Sequence, residues 1–331
     1  MKKNKKIERK FCVAPMMGYT TPHARKLYRI LSKKTFLFTE MIASKTMIHS
    51  KSKDLIIEND LQNPVALQVG GSDISDLIQC TKIAKSYNYD EINLNVGCPS
   101  KAVQKGSFGA CLMRDKYLVK NCLESMNNVN EIEVSIKCRI GLGKNFNYEF
   151  FSEFINEISK SGIKTIYVHA RNAILSGISP KDNRTIPELN YDFVKQIKKE
   201  FSDINFILNG GIDNLEKAKI LLKEHDGIML GRLIQNNPFC LSKVDEIFFN
   251  DKKKHVFDEK IVFDYFNYIR PRMKNESIFR LLSPLLQIFF GIPNSKKLKA
   301  SIHKKIQNQE IDKLESLFIE FINIQKKVSF N

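Results

Sequence analysis

The sequence predicts a (β/α)8 barrel followed by a smaller all-helical domain, and three observations carry that reading. Eight short apolar runs between Phe11 and about Leu230 alternate with longer amphipathic stretches, and no linker interrupts them. Polar residues and glycines collect at the C-terminal ends of those runs. After about Pro238 the pattern changes to long helical stretches rich in Phe, Ile and Lys. A doubly wound sheet would use fewer strands.

Taken in order, the strands are expected at Phe11–Ala14, Leu37–Thr39, Val65–Val69, Glu91–Asn95, Val134–Lys137, Thr165–His169, Asn205–Asn209 and Gly227–Leu230. Helical periodicity fills most intervals, for example Ile74–Lys85, Tyr148–Ser161, Asp192–Phe201 and Leu215–Lys223. The organisation expected is a basic tail over 1–10, a catalytic barrel over 11–240 and a basic helical domain over 241–331. Residues 251–331 hold 16 Lys and Arg against 9 Asp and Glu, a net charge of +7.

The chain has 331 residues, 43% of them hydrophobic, in the range of a globular protein of one large and one small domain. No apolar run approaches the roughly 20 residues of a membrane span, and Met1-Lys-Lys-Asn-Lys-Lys-Ile7 lacks the apolar core of a secretory signal, so a cytoplasmic protein without a membrane partner is expected. Seven scattered cysteines without a Cys-x-x-Cys pair argue against a disulfide framework and a zinc site, and no metal is expected. The formal charge of +17 points to a polyanionic partner. Part of that charge follows from a Lys-, Asn- and Ile-rich composition without Trp. Gly141-Leu-Gly143 lacks the third glycine of a dinucleotide fingerprint, and no Walker sequence occurs.

Barrels do chemistry at the C-terminal ends of their strands. Those ends read Pro15-Met16-Met17, Gln68, Asn95 with Cys98, Lys137 with Arg139, His169-Ala-Arg171, Asn209-Gly210-Gly211 and Gly231-Arg232. In 91–100, Ile92 and Leu94 alternate with Asn93 and Asn95 before the strand breaks at Gly97-Cys98-Pro99, which leaves a thiol on its lip. A lone cysteine is as often inert core as a reactive group. The glycine-rich turns after the last two strands, one with Arg232, lie where barrels commonly bind phosphate. Lys137 by itself is open to three roles: a Schiff-base amine, a phosphate ligand or a flavin partner.

With these residues in place, the chain resembles the tRNA-dihydrouridine synthase family, in its 20/20a subtype, from about Phe11 to Pro293. The resemblance rests on Val13-Ala-Pro-Met16, Val65-Ala-Leu-Gln-Val-Gly-Gly-Ser72, Tyr89-Asp-Glu-Ile-Asn-Leu-Asn-Val-Gly-Cys-Pro-Ser100, Phe108-Gly-Ala-Cys-Leu-Met113 and His169-Ala-Arg171. Leu175-Ser-Gly177, Ser179-Pro-Lys181, Asn183-Arg184, Asn209-Gly-Gly211 and Gly231-Arg232 extend it. The resemblance implies an FMN-bearing barrel, a helical tRNA-binding domain, and NADPH-driven reduction of the uracil C5–C6 bond in the tRNA D-loop. It implies FMN contacts from Pro15, Met16, Met17, Gln68, Lys137, His169, Asn209, Gly210, Gly211, Gly231 and Arg232. Cys98 is the implied proton donor, and Asn95, Lys181, Arg184, Lys296 and Lys299 are the implied tRNA contacts. A monomer is expected. The chain departs from the family pattern at Thr21, at Ile174 and at Leu298-Lys299-Ala300. The rival readings are a flavin barrel acting on a free pyrimidine or other small molecule, a Schiff-base lyase built on Lys137, and a non-catalytic RNA chaperone.

Overall fold

The computed structural model describes residues 7–51, 57–60, 62–130, 132–251, 258–289, 295–308 and 310–328. The chain forms two compact units, one of residues up to Pro22 with Phe36–Gly231, the other of His23–Thr35 with the residues from Arg232 on.

The first unit is an eight-stranded parallel barrel. Its strands are β1 (Phe11–Val13), β2 (Leu37–Ala43), β3 (Val65–Gly70), β4 (Glu91–Val96), β5 (Glu133–Leu142), β6 (Thr165–Ala173), β7 (Asn205–Asn209) and β8 (Gly227–Leu230). They pair in the order β1-β8-β7-β6-β5-β4-β3-β2. Phe36 closes the ring: it bridges Cys12 in parallel, its carbonyl accepts from Val13 N at 2.9 Å, and its own N–H donates to Phe11 O at 3.0 Å. Strands β2, β5 and β6 run several residues past their apolar runs, through polar residues such as Glu40, Arg139 and Asn172. Their backbone groups stay paired in the ladder there, so the strand continues where hydrophobicity stops.

Strand alternation decides what faces the barrel axis. On β4, Ile92, Leu94 and Val96 form the apolar set, while Glu91, Asn93 and Asn95 form the other; all six are buried. The ladder sets Glu91, Asn93 and Asn95 beside Glu133, Ser135 and Lys137 of β5, and Gln68 of β3 beside Asn93. Beneath them an aromatic plug fills the interior, where Phe38 meets Tyr167 edge-on at 4.9 Å and Phe36 meets Phe38 at 5.6 Å.

Arg9 inserts at the N-terminal end of the strands. It donates to Glu91 Oε2 from Nε at 3.0 Å and from Nη2 at 2.6 Å, and it pairs with Glu133 at 2.6 Å. Tyr167 also donates to Glu91 Oε2, at 3.2 Å. Burial pushes the Glu91 carboxyl up and Arg9 draws it back.

In the second unit, helices Lys260–Ile269, Ile278–Leu282, Ser295–Gln307 and Ile311–Val328 bury Tyr265, Phe266, Leu281, Leu282, Ile302, Leu314 and Phe318. The segment His23–Thr35, which strand and helix alternation assigns to the first barrel repeat, groups here through polar ties. His23 bonds the Tyr268 hydroxyl and Glu276, each at 3.0 Å. Asp245 accepts from Ser32 Oγ at 2.5 Å and from Lys33 N at 2.6 Å.

Removing Arg9 would leave the buried Glu91 carboxyl without its counter-ion. Arg9→Met is therefore expected to cost about 3–5 kcal/mol in chemical unfolding, the range for one half of a buried pair. A loss under about 1 kcal/mol would show that the pair is an ordinary surface contact.

Candidate active site

Cys98 sits on a lip that several independent ties hold in place. Asn95 Oδ1 accepts from Gly97 N at 3.2 Å and from Cys98 N at 3.0 Å, and Cys98 O accepts from Ala110 N at 2.9 Å. Gln104 Nε2 donates to Pro99 O and to Leu175 O, both at 2.9 Å. The Cys98 thiol is half-buried and lies within hydrogen-bonding reach of Ser100 Oγ, at 3.6 Å.

Across the strand ends, Lys137 Nζ donates to Asn209 Oδ1 at 3.0 Å, and Asn209 Nδ2 donates to Met229 O at 2.7 Å. Burial first, then the neighbouring Arg139 charge, pushes the Lys137 ammonium down to about 8, while Cys138 and Cys98 pull it back. Arg139 is buried and donates to three carbonyls, Gly97 O at 3.0 Å and Asn172 O and Asn183 O at 2.9 Å each. Its guanidinium is pushed down to about 10, mainly by burial; Cys98 opposes this, and Arg171 and Arg184 add to it. Among the described residues, no carboxylate figures in the electrostatics of either cation. A cluster of buried cations balanced by carbonyls alone favours an anionic ligand.

The glycine turn after β7 has left-handed backbone, with φ +117° at Gly210 and +63° at Gly211. A side chain at Gly210 would begin 2.7 Å from the His169 ring. The turn is held by Tyr191, which donates to Gly210 O at 2.6 Å, and by Lys217, which donates to Gly211 O at 2.7 Å. At β8, the space a Gly231 side chain would take is bounded by Met16 Sδ at 3.4 Å. The Pro15-Met16-Met17 turn depends on Thr20, whose hydroxyl accepts from Met16 N at 3.0 Å and donates to Met16 O at 3.1 Å. Met17 is 66% exposed.

Of the residues singled out by sequence, the structure thus joins Gln68 to Asn95 (2.8 Å), Asn95 to Cys98, Lys137 to Asn209, His169 to Gly210 and Met16 to Gly231. Arg232 opens a short helix, Arg232–Asn236, directly after β8. Lys181 and Arg184 are exposed and flank Asn183, whose buried amide clasps Ile174 through both N–H (2.8 Å) and C=O (2.9 Å), so the two cations are held outward. Lys296 and Lys299 fall on the helix Ser295–Gln307; their side chains lie outside the described residues. Sequence reasoning placed Arg139 at a strand end without a role. Asn183, Asn93 and Glu91 stood there only inside longer motifs and Ser135 in none, although the alternation on β4 and β5 already put Ser135, Asn93 and Glu91 on one face.

The fold and its rim define a parallel barrel with polar and cationic side chains gathered at the C-terminal ends of its strands. A family model for dihydrouridine synthase matches residues 12–324. The tRNA-dihydrouridine(20/20a) synthase of Vibrio parahaemolyticus is 40% identical over 292 residues, which cover 88% of this chain and 89% of that protein. Its namesake in Escherichia coli K12 is 42% identical over 301 residues, 89% and 87% of the two chains. The one from Shewanella oneidensis is 37% identical over 316 residues, 94% of each. The chain belongs to the dihydrouridine synthase family.

The depressed Lys137 value has a testable sign. In the ligand-free protein the folded state releases this proton at about 8, whereas the unfolded chain keeps it up to about 10.5. Between those values the unfolded state binds more protons, so the stability contributed by this group rises with pH, by up to about 3 kcal/mol. Urea unfolding of wild type and Lys137→Met across that window is expected to show wild type gaining on the variant as pH rises. Parallel curves would mean that Lys137 titrates normally.

Proposed function

We propose that the protein is a tRNA-dihydrouridine(20/20a) synthase that binds FMN, takes electrons from NADPH and reduces the uracil C5–C6 bond in the tRNA D-loop. The observation that carries this reading is the Cys98 thiol on a strand-end lip beside the buried cations Lys137 and Arg139, whose electrostatics involve no carboxylate among the described residues. The donor set suits a flavin: Lys137 keeps two N–H groups beyond its bond to Asn209, the Gly210-Gly211 turn admits close approach of a ligand to the backbone, and Pro15, Met16, Met17 and His169 offer surfaces around it. Gln68 contributes an amide, and Gly231 with Arg232 a phosphate site.

When bound beside these residues, a reduced flavin would supply hydride chemistry toward uracil C6, which is electrophilic through conjugation to the C4 carbonyl. Cys98 holds a proton on Sγ and delivers it to C5 as charge builds on the ring. Lys137 and Arg139 lower the cost of that charge through their field in a site with few opposing carboxylates. Asn95 orients the base, which must leave its stack to reach the thiol. Lys181 and Arg184 on the barrel unit, and Lys296 and Lys299 on the helical unit, hold tRNA phosphates. Among the described residues no helix is long and apolar enough to cross a membrane, and we place the enzyme with its substrate in the cytoplasm.

The visible spectrum of the purified protein should carry a flavin band. In Cys98→Ala that band and its bleaching by NADPH are expected to persist, while dihydrouridine formation on unmodified tRNA falls by about two orders of magnitude or more. Normal product yield from this variant would remove Cys98 from the chemistry. A colourless protein trapped by borohydride with its substrate would point to the lyase instead.

The triple variant Lys181→Glu, Lys296→Glu and Lys299→Glu should keep its flavin and oxidise NADPH. It should bind tRNA more weakly, with the salt slope reduced by roughly one for each phosphate no longer held. Binding measured at several salt concentrations checks this, and an unchanged slope would exclude these lysines from the RNA interface.

A further inference from the structure

A chain of hydrogen bonds runs along the barrel axis and ends at the lip that carries Cys98. Starting at the Arg9 end, Glu91 Oε1 accepts from the Ser135 hydroxyl, Ser135 Oγ accepts from Asn93 Nδ2 at 2.7 Å, and Asn93 Oδ1 accepts from Gln68 Nε2 at 2.8 Å. Gln68 Oε1 then accepts from Asn95 Nδ2 at 2.8 Å, and Asn95 Oδ1 accepts from the backbone N–H groups of Gly97 and Cys98. Glu91, Ser135, Asn93, Gln68 and Asn95 are all buried.

The direction of every link is dictated from both ends. Glu91 Oε2 is taken by Arg9 and Tyr167, so its Oε1 meets Ser135 as an acceptor. Ser135 has one hydroxyl proton and spends it there, so it can only accept from Asn93, which must turn its NH2 that way. The same logic forces the Gln68 and Asn95 amides in turn. At the other end, backbone N–H groups can only donate, so Asn95 must present its oxygen to Gly97 and Cys98. Both termini require the same polarity. One reversed amide would set two NH2 groups or two carbonyl oxygens face to face in a buried site, where an unmatched polar group is costly.

We propose that Glu91, Ser135 and Asn93 are positioning residues: they form a one-way hydrogen-bond chain that fixes the Gln68 and Asn95 amides and thereby seats the Cys98 backbone. None of the three is within the rim itself; they act through Asn95. The chain stands on geometry alone, whereas its bearing on turnover rests on the reading of Cys98 as proton donor.

Ser135→Thr and Ser135→Val test this, because the two side chains share a shape and only threonine keeps the hydroxyl. The first readout is the alkylation rate of Cys98, resolved by peptide mass spectrometry with Cys111 as internal reference. The second is dihydrouridine formed on unmodified tRNA with NADPH. Relative to threonine, valine is expected to change Cys98 alkylation severalfold with Cys111 unaffected, and to lower the product rate by roughly tenfold or more, the scale of a small misplacement of a reacting group. Equal Cys98 alkylation in the two variants would overturn the proposal. Should the larger side chains prevent folding at this buried position, Asn93→Leu removes the same link at similar volume, and an unchanged Cys98 rate there would overturn it equally. A valine-specific change in alkylation, with no dihydrouridine from any variant or from wild type, would sustain the chain and retire the proposed function.

Discussion

The structure depends on burying a row of polar side chains along a barrel strand and finding each of them a partner. Strand β4 sends Glu91, Asn93 and Asn95 to one face, where all three are buried and each needs a hydrogen-bond partner. The ladder answers by placing Gln68 and Ser135 at matching heights on the neighbouring strands. Arg9 neutralises the carboxylates where the strands begin, and the aromatic plug of Phe36, Phe38 and Tyr167 keeps that end dry. Rigidity is the consequence for function, since the Cys98 lip is fixed through Asn95 rather than by loop packing alone.

At the rim the balance is reversed. Arg9 meets carboxylates, whereas Lys137 and Arg139 meet carbonyl and amide oxygens. Burying these cations lowers stability, and the depressed Lys137 and Arg139 values register that cost. A site of this kind gains most from a ligand that brings negative charge or develops it during reaction.

Much of this was legible in the sequence. The eight apolar runs located every barrel strand, and the strands at Asn205–Asn209 and Gly227–Leu230 have the bounds expected. The long extensions of β2, β5 and β6 were not legible, because there the ladder rather than hydrophobicity holds the strand. Cys98, Asn95, Gln68, Lys137 and Asn209 stood out as polar residues at strand ends, and the fold brings them into contacts that spacing alone could not supply. Arg9 was hidden in a run of basic residues that read as a tail. Its role appears only when Glu91 and Glu133, 82 residues and more away in the chain, are brought to the same end of the barrel. The packing of His23–Thr35 with the C-terminal unit was illegible for the same reason, since it rests on distant partners such as Tyr268 and Asp245.

The most direct test of the central claim is to incubate the purified wild-type protein with NADPH and an unmodified tRNA transcript, in parallel with free uridine, and to map dihydrouridine along the RNA. NADPH-dependent product is expected at the 20/20a positions of the D-loop, with little from the free nucleoside. Reduction of free uridine as fast as tRNA, or an unmodified D-loop beside a fully flavin-loaded enzyme, would contradict it.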